Sequence, residues 1–223
     1  MYRIQGMIMI EVELISITPD AERVIEQAGR TAYLSFDRAK EGSQARFIRM
    51  LVKSGHHSVL EHAYASFRIR GGSRAFTHQL VRHRLCSFTQ QSQRYVDEQS
   101  FSYTEPESIS ATEEAHTLFV DLMDRAKDAY SKLRQLGIRN EDARFVLPNA
   151  VQSEIVVTAN FREWRHVIAL RGRADAQWEI RRTIIEILKI LKERAPTVFE
   201  DFEIDGGRQL VLHAGDAGER GKD

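Results

Sequence analysis

Between His62 and Tyr95 the chain carries six arginines, at positions 68, 70, 74, 82, 84 and 94, and no lysine, aspartate or glutamate. This stretch is held to few structures. Residues 63–70 (A-Y-A-S-F-R-I-R) end in a period of two and predict a strand. Gly71-Gly72-Ser73 predicts a turn, with Ser73 capping a helix that runs to about Arg84. Guanidinium is a planar fork suited to bidentate contact with phosphate or carboxylate, and lysine, the solubilising cation, is missing. The arginines therefore point to an anionic ligand. Residues 97–124 are the converse, with eight acids and no Lys or Arg, and read as a solvated loop and helix. Over the whole chain 32 basic residues balance 32 acidic ones, which argues against a generically basic nucleic-acid coat.

The rest of the chain alternates short strand and helix signals. Ile10, Val12 and Leu14 against Glu11 and Glu13 predict a strand over 8–16, and Pro19 opens a helix to about Tyr33. Phe47, Ile48, Leu51 and Val52 have helical spacing, with Gly55 as C-cap. Ser110 and Glu113 form a capping-box pair for a helix over 111–136, with an expected apolar stripe of Leu118, Leu122, Ala126, Ala129 and Leu133. Asn140 is expected to cap a short helix halted by Pro148. Residues 155–159 read as a strand, Asn160 and Glu163 as a capping box for a helix to about Arg171, and residues 175–194 as a last amphipathic helix. The expected fold is a single α+β domain over 1–205, a mixed or antiparallel sheet flanked by helices, with a frayed tail over 206–223. The one cysteine, Cys86, excludes an internal disulfide and reads as a packing residue. Neither a membrane span nor a signal peptide is visible, so a cytoplasmic location is expected.

Common nucleotide and metal signatures are missing. There is no G-x-G-x-x-G, no G-x-x-x-x-G-K and no H-E-x-x-H, so a nucleotide here has to be held by side chains. His56, His57 and His62, beside Glu61, straddle the Gly55 turn with no cysteine nearby. That is a poor zinc arrangement, and no metal is expected. The remaining readings are a polar turn, or rings that stack on a flat aromatic ligand. Gln79, Arg82 and His83 are expected on one polar face near the end of the 73–84 helix, followed by the hydrogen-bonding run from Ser87 to Arg94. Amides can read a pyrimidine edge, and arginines can take its phosphate. No acid lies near in sequence to orient His83 as a base for Ser92 or Cys86.

The pattern R-H-R-x7-S-x-R at Arg82 to Arg94 resembles the defining motif of the flavin-dependent thymidylate synthases. So do Gly55-His56 with Glu61-His62, the A-R-F-V-L-P run at 143–148, Asn160-x-Arg162, and Leu170-Arg171 followed by A-Q-W-E at 176–179, all in family order. Together they cover roughly residues 20–200. The resemblance implies an α+β homotetramer binding FAD and deoxyuridine monophosphate (dUMP) at subunit interfaces. It also implies an activity: reductive methylation of dUMP to thymidylate, with methylenetetrahydrofolate as carbon donor and NADPH as reductant. By the same resemblance Ser58, Arg82, His83, Arg84, Gln90, Asn160, Phe161, Arg162 and His166 fall on flavin positions. Gln79, Arg82, Gln90, Gln91, Ser92, Gln93, Arg94, Arg144 and Arg171 fall on nucleotide positions, and His56 and Tyr95 on the flavin and folate face. Arg171 corresponds to the arginine that polarises the uracil. Thr89-Gln90 stands where some members have Asn-Glu, and His166 where some have Asn.

Chemistry of that kind needs no protein nucleophile, because the flavin can deliver hydride to the ring. Ser92 then reads as an orienting hydroxyl in the catalytic site. On a helix from Phe161, Arg171 lies beside Trp164, Val167 and Ile168, a costly place for a guanidinium unless it has a partner. Two other functions use the same arginines. A single-stranded nucleic-acid module would add Phe67, Phe88 and Tyr95 as stacking platforms. A catalytically inactive nucleotide-binding protein would keep the arginines without needing Arg171. Neither nucleic acid nor membrane is the expected partner.

Overall fold

The structure is a computed structural model, and it describes residues 10–213. Helices and strands are mixed as expected of an α+β chain. Strands β1 (Glu11–Ile17), β2 (Tyr64–Ser73), β3 (Ser87–Gln90) and β4 (Gln152–Asn160) form one sheet in the order β1-β2-β4-β3. Strands β5 (Phe202–Asp205) and β6 (Leu210–His213) form an antiparallel hairpin, with Phe202 opposite His213 and Asp205 opposite Leu210. The main helices are α1 (Ala21–Thr31), α2 (Ser43–Lys53), α3 (Arg74–Leu80), α4 (Glu107–Ser110), α5 (Glu113–Gln135), α6 (Asn140–Ala143), α7 (Phe161–Arg171) and α8 (Trp178–Arg194).

The chain divides into two compact units, each built from separated stretches. Among the described residues the first takes 10–11, 69–80 and 89–155; the second takes 12–68, 81–88 and 156–213. In the first unit Phe101, Met123, Ala126 and Val151 form a buried cluster, with Tyr103 and Phe119 packed against it. Arg74 N and Ala75 N donate to Val151 O and Asn149 O, which ties the start of α3 to the turn before β4.

The second unit is organised by α7 and α8. Trp164 is fully buried, its Nε1 donates to Ala65 O at 3.0 Å, and its ring meets Phe67 edge-on at 5.2 Å. Ile180, Ile184, Ile187, Leu188 and Leu191 give α8 one wholly buried stripe. Burying such side chains stabilises by roughly 1.5–3 kcal/mol each. The last helix begins at Trp178 rather than at Asp175, with Gln177 as its cap, the side chain accepting from Glu179 N and Ile180 N. The Asn160 cap of α7 is made as expected, Oδ1 accepting from Glu163 N at 2.8 Å.

Several local expectations are corrected. Gly71 and Gly72 do not turn the chain; β2 runs through to Ser73, with Gly71 at φ 75°. At Gly72, also within the strand, a Cβ would lie 2.5 Å from the Phe76 ring, so the absence of a side chain lets that ring pack close. Ser73 does cap α3, its Oγ accepting from Phe76 N, but the helix stops at Leu80. Arg82, His83 and Arg84 therefore stand on a turn, and Gln79 shares no helical face with them. The polar run after them is not a loop at its start, since Ser87–Gln90 is β3.

On α5 the N-cap is Thr112, not Ser110, which ends the short α4. The buried positions of α5 are Met123, Ala126 and Tyr130, while Leu118 and Leu122 are 70% and 54% exposed. Ala126 of the expected stripe is buried as expected, while Met123 and Tyr130 take the buried positions beside it in place of the leucines chosen by spacing. Asn140 is the first residue of α6 and Arg139 its cap. Residues 206–213, expected to fray, close the β5–β6 hairpin; the tail from 214 lies outside the described residues. The hairpin is seated by Gly172: Val211 N donates to its carbonyl at 2.8 Å, and a Cβ there would lie 2.6 Å from Val211.

Candidate active site

The second unit holds a cavity of about 1010 Å³, lined by the 82–85 turn, the first turn of α7 and that helix's far end. Arg82, Arg84, Arg162 and Arg171 face it against two carboxylates, Glu61 and Glu163. Glu61 accepts from Arg162 Nη1 at 2.5 Å. The remaining excess of positive charge lies beside the N-terminus of an 11-residue helix, where backbone N–H groups favour an anion. Leu85 and Leu170 supply apolar wall.

His83 is the centre of the site. The 82–86 turn, closed by Cys86 N donating to His83 O, leaves Arg82 and Arg84 exposed and turns His83 inward, 5% exposed. Its Nε2 accepts from Arg171 Nε at 3.0 Å, and its Nδ1 lies 3.8 Å from Glu163 Oε1. The His166 ring stands edge-on at 5.9 Å. Burial, then the Arg171 charge and His166, push the His83 pKa down to about 4, so the imidazole is neutral at physiological pH. Arg171 thus solves the problem its position poses: a guanidinium on the buried side of α7 finds an imidazole acceptor.

Cys86 Sγ approaches Glu163 Oε1 at 4.0 Å, and burial followed by that carboxylate pushes the thiol up to about 12. Such a thiol is no nucleophile. His83, Glu163 and His166 bring three ligating atoms within 4.8 Å of one another. Four surrounding guanidiniums repel a divalent cation, and Arg171 already occupies one imidazole nitrogen, so the donor set suits an anion better than a metal.

The residues expected to touch flavin divide unevenly. Arg82, His83, Arg84, Asn160, Arg162 and His166 all line this cavity, together with Arg171. Phe161 is fully buried with its ring against Phe199 at 5.4 Å, so its side chain belongs to the core. His56 and Ser58 are exposed at the 55–62 turn and are not part of the lining. Phe67, a stacking platform in the nucleic-acid reading, is sealed against Trp164.

The expected nucleotide residues Gln79, Gln90, Gln91, Ser92, Gln93, Arg94 and Arg144, with Tyr95, belong to the first unit. Gln90 Nε2 donates to Thr77 Oγ1 at 2.9 Å and Ser153 Oγ at 3.1 Å, and Gln91 Nε2 donates to Glu98 at 3.0 Å. Ser92 Oγ accepts from Arg94 N at 3.3 Å. Arg94 lies 3.5 Å from Glu141 beside a smaller cavity of about 230 Å³, also lined by Arg134 and Arg139. Arg74 was missed by motif reading. Burial, then the like charge of Arg144, lowers its pKa, with the Glu98 carboxylate pulling the other way. Glu163 was also missed as a site residue; its capping-box position was legible, its inward carboxylate was not.

Residues 13–197 match the sequence model of the family described as thymidylate synthase complementing protein. The chain belongs to that family. It is 44% identical over 200 residues to a flavin-dependent thymidylate synthase of Geobacter sulfurreducens, covering 86% of each chain. A protein of the same name from Corynebacterium diphtheriae is 40% identical over 212 residues, 87% of this chain and 84% of the relative. One from Mycobacterium tuberculosis is 40% identical over 207 residues, 84% and 83%. Among the described residues no helix is long and apolar enough to cross a membrane.

Proposed function

We propose that this chain is a flavin-dependent thymidylate synthase that converts dUMP to thymidylate, with methylenetetrahydrofolate as carbon donor and NADPH as reductant. The observation that carries the reading is the arginine-lined cavity at the start of α7, in a chain that matches the family over most of its length. Its excess of positive charge, its helix N-terminus and its apolar wall fit a dinucleotide with a pyrophosphate and a flat ring. When bound, FAD supplies hydride to the nucleotide ring. Arg82, Arg84 and Arg162 hold the pyrophosphate, Asn160 and His166 orient the cofactor, and Ser58 and His56 contribute from the neighbouring turn. Arg171 stabilises negative charge that develops on the uracil.

Gln79, Gln90, Gln91, Ser92, Gln93, Arg94 and Arg144 hold dUMP. Tyr95, 78% exposed, offers its ring to the folate side. The working enzyme is a homotetramer in which copies share each site. Support for this comes from Leu118 and Leu122 standing exposed one turn apart on α5, and from Phe145, 83% exposed beside Arg144.

The test is optical and chemical. The purified protein, reconstituted with FAD and reduced with NADPH, should show flavin bands that return on adding dUMP and methylenetetrahydrofolate, with thymidylate formed. A protein that takes up no FAD, or oxidises it without making thymidylate, rules the reading out.

A further inference from the structure

A carboxylate buried without a strong partner is costly, and Glu163, 6% exposed, is such a group. Among the described residues its near neighbours are the Cys86 thiol at 4.0 Å, His83 Nδ1 at 3.8 Å and a ring nitrogen of His166 within 4.8 Å. Burial raises its pKa, with His166 pulling the other way. A first-turn helix position favours a carboxylate, yet an exposed rotamer would serve the helix equally well. The inward orientation needs a further reason, and the line of atoms beyond it supplies one. Glu163 Oε1 faces one nitrogen of His83, and the other nitrogen accepts from Arg171 Nε at 3.0 Å. A neutral imidazole has one N–H and one lone pair, and which nitrogen carries the proton is set by what faces the other.

We propose that Glu163 is a positioning residue: its carboxylate selects the Nδ1–H tautomer of His83, whose Nε2 lone pair then anchors Arg171 and fixes the plane of its guanidinium toward the nucleotide ring. With the opposite tautomer, an Nε2–H would meet Arg171 Nε–H, donor against donor, and this anchor of the guanidinium would be lost. Glu163 lines the same cavity, but in this role it acts on the arginine through His83. The inference rests on the proposed role of Arg171 at the uracil.

The experiment has a spectroscopic arm and a kinetic arm. Protein labelled with 15N-histidine, without flavin, is examined by NMR near pH 7, with His83 assigned by difference against His83→Asn. The expected wild-type signature is a neutral ring protonated at Nδ1. Glu163→Ala should give mixed or Nε2–H tautomers, and Glu163→Gln, whose amide oxygen still accepts, should keep the wild-type pattern. In the holoenzyme, dUMP-driven flavin oxidation should fall on the order of tenfold or more in Glu163→Ala, with KM for dUMP nearly unchanged, and recover in Glu163→Gln. Should alanine prevent folding, Glu163→Met, close in shape and unable to accept, replaces it in both arms.

An Nε2–H ring in the wild type, an unchanged tautomer in the non-accepting variant, or wild-type kcat in that variant overturns the proposal. If the protein proves not to be a thymidylate synthase, the kinetic arm is silent in every variant while the NMR arm still reports the tautomer. The two failures are therefore distinct.

Discussion

Arg171 Nε donates to Nε2 of His83 across 3.0 Å, joining the far end of α7 to the R-H-R turn. The contact makes the guanidinium affordable on a buried helix face and fixes it by one nitrogen. Charge-stabilising donors of this kind contribute roughly 2–4 kcal/mol to a transition state in a dry site. Arg171→Ala should fold and bind FAD, yet lose on the order of a hundredfold in dUMP-driven flavin oxidation, measured by stopped-flow absorbance. Arg171→Lys should recover little, because a point charge cannot donate along the fork. A near wild-type rate in the alanine variant would reduce Arg171 to a helix-end residue.

The neutral imidazole of His83 predicts a pH dependence of stability. Its folded pKa is about 4 against an ordinary 6.5, so between those values the unfolded chain takes up a proton that the folded chain refuses. Stability attributable to His83 therefore falls as pH drops through that window, by on the order of 2–3 kcal/mol. Glu163, with its raised pKa, and His166 face the ring, and Glu163 contributes the opposite slope. Urea unfolding of wild type and His83→Asn at several pH values separates the two. Equal slopes in both proteins would show that His83 titrates normally.

Much of the site was legible because it is chemical. Arginines without lysine drew attention to Arg82 and Arg84, which line the cavity, but Arg68 and Arg70 of the same block pair with Glu13 and Glu11, and Arg94 lies in the first unit. Position was less legible. The helix expected to carry Arg82 to Arg84 stops at Leu80, since the inward turn of His83 toward Glu163 and Arg171 involves residues some 80 positions away in sequence. On α5 the spacing found Ala126 but chose Leu118 and Leu122, whereas burial selected Met123 and Tyr130. Glu163 was read only as a capping residue, because local sequence says nothing of which way a first-turn carboxylate points.

The exposed leucines of α5 predict assembly. Leu118 and Leu122 sit one turn apart and leave apolar surface in water that a second copy would cover. Leu122→Glu should leave the fold intact, since the side chain is 54% exposed, but shift the protein to smaller species in sedimentation. Flavin affinity should fall with it, because assembly and cofactor binding are linked when copies share a site. An unchanged tetramer in that variant would place the interface elsewhere.

Asp201 predicts a stability effect far from the chemistry. Arg165, 8% exposed at its side chain, makes a two-pronged contact with it at 2.7 and 2.6 Å, and His213 Nε2 lies at 3.1 Å. Burial would raise the Asp201 pKa, but the hydrogen bonds and charges of Arg165 and His213 outweigh it and hold the carboxyl below its usual range. Its contribution is present at neutral pH and lost as pH falls through the depressed value. Asp201→Ala leaves the buried guanidinium its bond to Val198 O but takes away this counter-charge, and should cost about 3 kcal/mol in urea unfolding. A change below about 0.5 kcal/mol, the range of ordinary surface substitutions, would mean that Arg165 finds another partner.

Ser92 distinguishes an orienting hydroxyl from a nucleophile. An attacking serine needs a base within hydrogen-bond reach, and among the described residues the bond of Ser92 Oγ is to Arg94 N, at 3.3 Å. That bond closes the turn also held by Tyr95 N and Val96 N donating to Ser92 O, and it sets the direction of Arg94. Removing the hydroxyl should loosen the placement of the nucleotide while leaving the chemistry intact. Ser92→Ala should raise KM for dUMP several-fold and retain measurable turnover, within about tenfold of wild type, which corresponds to about 1.4 kcal/mol. Mass spectrometry of the enzyme quenched during turnover should find no nucleotide attached at Ser92. An adduct there, or complete loss of turnover with nucleotide binding preserved, would make Ser92 the attacking group and displace Arg171 from the centre of the mechanism.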